Sequence, residues 1–217
     1  MSIRSEAMAK MDVDQLNMMH LDILREIGNI GSGNAATALA KLINKKIDIG
    51  VPKVKLLEFK YVADLLGGAE TEVIGILFNL SGEITGMMMF VLDQPSAQAL
   101  VNLLMGRESN SKEPFTEIDF SALQEIGNIL AGSYLSSLAN LTNLSVSPSI
   151  PHMAQDMAGA ILSVPAIEFG KIGDKALFIE TEFMQGQDEV AGYFILIPEM
   201  RSFNKILLAL GISSNGI

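Results

Sequence analysis

The sequence predicts an α+β fold, a two-layer α/β body in which long helices pack on antiparallel sheet. The body is built from two tandem α-β-α-β-β-α units related by a pseudo-two-fold axis. Three observations carry this. First, the segment LDILREIGNI at 21–30 recurs as FSALQEIGNI at 120–129, and the shift of 99 holds without a gap through Gly33 and Gly132, Leu39 and Leu138, and Pro52 and Pro151. So long a period excludes a solenoid and marks a duplicated half-domain. Second, each copy has helical spacing: Asp22, Glu26 and Asn29 stand at i, i+4 and i+7, with Ile23, Leu24, Ile27 and Ile30 as the apolar stripe. Third, each copy is followed by the same order of alternating strand, short helix, hairpin and closing helix.

Taken in order, residues 1–11 read as a tail, and Asp12 or Asp14 is placed to cap the first helix, which runs to about Asn44. That helix carries Gly28, Gly31 and Gly33. Each interior glycine costs roughly 1 kcal/mol in helix propensity, which implies close approach of another element. Alternation over Lys45–Leu57 predicts one strand, and Phe59–Leu66 a short helix stopped at Gly67-Gly68. Glu72–Leu80 and Glu83–Leu92 predict a hairpin turning at Ser81-Gly82. Pro95 opens a helix over Ser96–Met105 and Gly106 closes it. Residues 107–116 are polar and link the halves. The second copy predicts a helix over Thr116–Asn143, capped at Thr116 or Asp119, then a strand over Leu144–Met153 and a short helix over Gln155–Leu162. A hairpin of Ala176–Phe183 with Glu189–Pro198 follows, and a last helix over Met200–Leu210. Gly82–Gly86 aligns with Asp188–Gly192. The expected organisation is a single domain over 1–217 made of two repeats, about 12–106 and 116–211.

Composition narrows the function. A chain of 217 residues that is 49% hydrophobic buries a sizeable core. It has no cysteine, hence no disulfide framework and no thiolate metal site. The net charge of −10, with no lysine/arginine patch, argues against nucleic acid. The dense apolar run Met87–Leu92 is too short to span a bilayer, and the N-terminus lacks a signal peptide's apolar region. A cytoplasmic, monomeric protein is expected. His20 and His152 fit no metal spacing, and the glycines after Asn29 fit no phosphate-loop pattern.

The repeated ridge is the candidate site. Core positions should stay matched in a duplication, and Leu24, Ile27, Leu39 and Leu42 recur as Leu123, Ile126, Leu138 and Leu141. Exposed positions should drift, and Arg25 became Gln124 and Lys41 became Asn140. Yet Glu26-Ile-Gly-Asn29 and Glu125-Ile-Gly-Asn128 did not change. Asp22-x3-Glu26-x2-Asn29-x22-Pro52 and Ser121-x3-Glu125-x2-Asn128-x22-Pro151 resemble the paired signature of CheC-type chemotaxis phosphatases, over about Met11 to Ser213. Related CheX-type proteins carry one such site. FliY-type flagellar switch phosphatases add a switch domain and a docking peptide, neither of which is evident here.

The resemblance implies hydrolysis of the aspartyl phosphate of the response regulator CheY. The regulator would supply the phospho-aspartate and the Mg²⁺, so that no cofactor or metal is expected on this chain. It implies catalytic roles for Glu26, Asn29, Glu125 and Asn128, with Asp22 and Ser121 as rim contacts to CheY. A carboxamide both donates and accepts hydrogen bonds, which suits the orientation of an attacking water. A carboxylate one turn away suits pairing with a lysine of the regulator. Pro52 and Pro151 are read as structural, fixing φ and withholding a donor near a strand. The resemblance further implies binding of the receptor deamidase CheD through a short helix over Ala154–Leu162, with Asp156, Met157 and Gly159 as contacts. The alternatives are a non-catalytic adaptor that sequesters CheD or CheY-phosphate, and a FliY-like phosphatase lacking the switch domain.

Overall fold

A computed structural model describes residues 18–44, 48–50, 52–108, 110–168, 175–185 and 188–211. The two predicted long helices are α1 (Met18–Ile43) and α4 (Glu117–Thr142). The start of α1, and with it the capping roles of Asp12 and Asp14, lies outside the described residues. Both helices end at the same repeat position: Asn44 and Asn143 take left-handed backbone, φ 53° and 55°. Asparagine tolerates that conformation because its short side chain bonds locally. The N-terminus of α4 is a full capping box. The Asp119 N–H bonds the Thr116 hydroxyl, and the Asp119 carboxylate accepts from the Thr116 N–H at 2.8 Å. Arg107 adds bonds of 2.9 and 3.1 Å to the same buried carboxylate.

Among the described residues eight strands form one antiparallel sheet: β1 (Asp48–Ile49), β2 (Lys53–Glu58), β3 (Glu72–Gly82), β4 (Gly86–Asp93), β5 (Val146–Pro148), β6 (His152–Met157), β7 (Lys175–Gln185) and β8 (Asp188–Pro198). The hairpins β3–β4 and β7–β8 meet along β4 and β8. The outer strands are exchanged: β1 and β2 of the first copy pair with β7, whereas β5 and β6 of the second pair with β3. Neither copy therefore has a complete sheet of its own, and each hairpin's outer edge is covered by the other half.

The pairing registers locate the pseudo-two-fold. Lys53 faces Glu180 and His152 faces Leu77, so Leu77 and Glu180 are equivalent. Leu77 faces Met89 and Glu180 faces Tyr193, so Met89 and Tyr193 are equivalent, and so are the next pair, Phe90 and Phe194. These two phenylalanines face each other across β4 and β8 and stack with centroids 4.6 Å apart. The axis runs through them. The shift thus grows from 99 in the helices to 104 here, which corrects the expected match of Gly82–Gly86 with Asp188–Gly192. Gly86 is equivalent to Val190, two residues short of Gly192.

Alternation along β3, β4, β7 and β8 sends side chains to two faces. One face carries Ile74, Ile76, Phe78, Met88, Phe90, Ile179 and Phe194 and is covered by α1 and α4, with α3 (Gln94–Met105) and α6 (Met200–Ala209) beside them. The other carries Val73, Met89, Val91, Phe178, Ile195 and Ile197, under the short α2 (Val62–Leu65) and α5 (Ala158–Glu168). The expected α+β architecture is present, with this second cover as a thinner additional layer.

Two boundary expectations change. The strands predicted over 45–57 and 144–153 are each broken near the repeated proline, into β1 and β2 around Pro52 and into β5 and β6 around Ser149–Pro151. A proline cannot donate to a ladder, so the edge strand is interrupted there. The helix predicted over Gln155–Leu162 begins only at Ala158; Gln155, Asp156 and Met157 lie on β6, paired with Ile74, Val73 and Glu72.

Candidate active site

Helices α1 and α4 pack against each other on one face of the sheet, and each turns its repeated ridge outward. Asp22, Glu26 and Asn29 are exposed, as are Ser121, Glu125 and Asn128. Behind them Ile27, Leu123 and Ile126 are buried, at 2%, 0% and 0% exposure. The 3.6-residue period therefore fixes the direction of each carboxylate and carboxamide: the apolar stripe cannot leave the core without exposing it. Among the described residues, Glu26, Asn29, Glu125 and Asn128 make no side-chain hydrogen bond or ion pair. Their polar groups face solvent with their bonding capacity open. Among the described residues no three His, Cys, Asp or Glu side chains converge as metal ligands would.

The rims differ between the copies. Asp22 accepts from Arg25 at 2.9 Å, an exposed pair one turn apart. Ser121 instead donates to the Glu117 carbonyl at 2.9 Å, back along its own helix. Gln124, which replaces Arg25 in the repeat, donates through Nε2 to the Pro151 carbonyl at 3.0 Å.

The glycines explain how the ridges are seated. A Cβ on Gly28 would stand 3.0 Å from both Pro52 Cγ and Val54 Cγ2, so α1 rests directly on the proline that trails the first motif. Gly127 faces Ile76 instead, where a Cβ would lie 2.8 Å from Cδ1. Gly31 lies against the Tyr134 ring of α4. Tyr134 is held from behind by Phe194, centroids 4.6 Å apart, and by a 2.7 Å bond between its hydroxyl and Thr181 Oγ1. Close packing was also expected at Gly33, but that residue is exposed and a Cβ there would meet nothing within 4 Å.

The residues expected to bind CheD stand elsewhere. Asp156 faces Val73 across the β6–β3 ladder and so projects on the side of the sheet opposite α1 and α4. It is exposed and accepts from the Met157 N–H at 2.7 Å. Met157 is 50% exposed, and Gly159 sits in the first turn of α5 with its N–H bonded to the Ala69 carbonyl. Asp156 and Met157 thus precede the helix on which they were expected. In the sequence Gln124 reads only as drift from Arg25; its bond to Pro151 joins residues 27 apart, which no local pattern signals.

Comparison with known proteins decides the family. A family model described as CheC-like matches residues 19–56 and 120–152, the two ridge helices and their trailing segments through both prolines. The CheY-P phosphatase CheC of Bacillus subtilis is 41% identical over 197 residues, covering 89% of this chain and 94% of that protein. The chain belongs to the CheC-like family. The flagellar motor switch phosphatase FliY of B. subtilis is 31% identical over 143 residues, 65% of this chain but only 37% of FliY. In structure, Thermotoga maritima FliY superposes with a TM-score of 0.71 at 24% identity, covering 91% of this chain and 98% of that one. The FliM middle domain of H. pylori gives 0.64 at 13% identity, covering 89% and 99%. At these identities the two structures speak for the fold alone. Among the described residues no helix is long and apolar enough to cross a membrane.

Proposed function

We propose that this chain is a phosphatase that hydrolyses the aspartyl phosphate of CheY, through two sites centred on Glu26 with Asn29 and Glu125 with Asn128. The observation that carries the reading is the doubled ridge: an identical carboxylate and carboxamide, one turn apart, exposed and without a partner among the described residues, on two helices packed side by side. Exposed positions of a duplicated protein are free to drift, as Arg25 and Gln124 have; Leu42 and Leu141, expected in the core, are 51% and 37% exposed and also unchanged, so it is the polar chemistry of the ridge pair that singles it out. The relative at 41% identity is a CheY-P phosphatase, and that relationship supports the same substrate here.

The chemistry needs little from this chain. An acyl phosphate is already activated, so positioning supplies much of the required acceleration. The regulator brings the phospho-aspartate, its Mg²⁺ and a lysine. Asn29 or Asn128 accepts from and donates to a water held in line with the phosphorus. Water attacks, the bond between phosphorus and the aspartyl oxygen breaks, and the pair stays on the aspartate carboxylate while the water's proton leaves with inorganic phosphate. Glu26 or Glu125 pairs with the regulator's lysine and sets the docking register, with Asp22 and Ser121 at the rim. CheD binds on the other face of the sheet, around Asp156, Met157 and Gly159, and the protein works in the cytoplasm as a monomer.

The test is phosphate release from Mg²⁺-loaded phosphorylated CheY. Asn29→Ala and Asn128→Ala each leave partial activity, and the double variant falls by about 10²–10³, the usual effect of losing one preorganised hydrogen-bonding group. Phosphoserine peptides and small phosphomonoesters are not turned over, because they bring neither metal nor lysine. A folded double variant with full activity would overturn the site, and robust ester hydrolysis would overturn the in-trans mechanism.

A further inference from the structure

The two ridges are nearly identical, but the ground beside them is not. Gln124 lies four residues before Asn128 and so flanks it on the helix surface, about 40° away at 100° per residue. Its bond to the Pro151 carbonyl draws the break between β5 and β6 against that flank. The same break is fixed from the other side. The Ser149 N–H donates to the Asn79 carbonyl at 2.8 Å, the Asn79 N–H donates to Ser149 Oγ at 3.0 Å, and Ser149 Oγ donates to the Ile150 carbonyl at 2.8 Å. Between these two anchors stands Ile150, 77% exposed. Single exposed apolar residues are common and need no explanation. This one is distinguished by being held on a short loop bonded on both sides, one side chain away from a proposed catalytic residue. In the first copy Arg25, in Gln124's position, bonds Asp22 instead.

We infer that the Ser149–Pro151 loop is the docking rim of the second site, with Ile150 as its apolar contact for the phosphorylated CheY receiver and Gln124 as the residue that positions it. This rests on the proposed function and deepens it: the occupant is the receiver because the rim is continuous with the ridge that must enter the receiver's site. A loop already ordered in the free protein loses little entropy on binding, which is what an apolar anchor requires. The contrast between the sites then lies in the flanking residue, Arg25 bonded to Asp22 beside the first and Gln124 bonded to Pro151 beside the second, while the position of Ile150 is also apolar in the first copy, where it is Val51.

The experiment separates the sites. In an Asn29→Ala background turnover comes from the second site. There, Ile150→Ser raises KM for phosphorylated CheY about tenfold and leaves kcat within about twofold, as expected for loss of one interface anchor. In an Asn128→Ala background the same change does nothing. Gln124→Glu keeps the shape but removes the N–H donor, and it raises KM in the Asn29→Ala background alone. An unchanged KM for Ile150→Ser there, or an equal rise in both backgrounds, overturns the inference. Full activity in the double asparagine variant would instead mean that the ridge assignment is wrong. The rim is then judged by titration with beryllofluoride-loaded CheY: Ile150→Ser weakens one binding event about tenfold, and binding as tight as the parent's overturns the proposal. Ile150 is exposed, so its replacement leaves folding intact.

Discussion

Gly31 and Gly33, two residues apart on α1, should respond in opposite directions to the same substitution. In a helix interior, glycine to alanine gains about 1 kcal/mol of propensity. At Gly33 nothing opposes the gain, because the position is exposed and open. Gly33→Ala should stabilise by about 1 kcal/mol, a rise of roughly 2–4 °C in Tm for a domain of this size. At Gly31 a Cβ would lie 2.9 Å from Cε1 of Tyr134 and closer still to Cδ1. The ring cannot retreat cheaply. It is 2% exposed, backed by Phe194, and tied to Thr181 at 2.7 Å. Overpacking of this kind costs about 1–3 kcal/mol, and loss of the tyrosine bond adds about 1 kcal/mol if the ring moves. Set against the propensity gain, the net for Gly31→Ala is about 2 kcal/mol of destabilisation, a fall of roughly 4–8 °C. Thermal or urea unfolding of the two variants beside the parent decides it. If Gly31→Ala raises Tm as Gly33→Ala does, the α1–α4 contact is not the tight seam described.

Three further outcomes follow from the same geometry. Burial raises the Tyr134 hydroxyl to about 12 although its bond to Thr181 pulls the other way; the unfolded phenol ionises near 10, so stability falls as pH rises from about 10 to 12, and Tyr134→Phe flattens that loss in alkaline unfolding. Burial alone would raise the Asp119 carboxyl, but the Thr116 N–H and hydroxyl and the Arg107 guanidinium hold it below the ordinary range. Its contribution is present above the unfolded pKa and lost as pH falls through the lower folded value, so Asp119→Asn should cost about 3 kcal/mol near pH 7 by urea unfolding, with the gap to the parent closing in acid. Asp156→Arg, on the opposite face from the ridges, should abolish CheD capture in a pull-down while phosphate release from CheY stays within a few-fold; loss of the phosphatase with CheD still bound would show the surfaces reversed.

The helices were legible because their signals are local and doubled. Spacing, caps and stop residues act within a few positions, and a second copy reports which of them matter. The edges were not legible, for reasons of tertiary pairing. Residues 154–157 have small and helix-favouring side chains, but β3 offers them a ladder at 72–75, and strand pairing outweighs propensity. The helix starts only where the Ala158 and Gly159 N–H groups turn to the Thr71 and Ala69 carbonyls. The hairpin mismatch has a different cause. Strand side chains alternate with period two, so a slip of two residues returns every apolar residue to its own face. The hydrophobic pattern is blind to it, and only the cross-strand partners reveal it. The ridge residues were read correctly as exposed, because the stripe behind them leaves no other orientation. Gln124 was out of reach because its partner lies on a different element.

The exchange of outer strands bears on why both ridges persist. The first ridge sits on Pro52 and Val54, at the start of a strand whose ladder partner is β7 of the second copy. The second ridge is flanked by a loop bonded to Asn79 on β3 of the first copy. Each site is therefore built from both halves, and neither half could discard its strand without removing support from the other's. That interlock constrains the backbone but not the contacts along the seam. There, Gly31 and Ala35 of α1 stand at the repeat positions of Leu130 and Tyr134 in α4, so identical ancestral faces have become small against large. The pair packs more closely than two equal faces with Tyr at both positions could, since Gly31 admits the ring that a second bulky side chain would exclude. Divergence has gone into the seam and the rims, while the carboxylate and carboxamide that face outward have stayed the same.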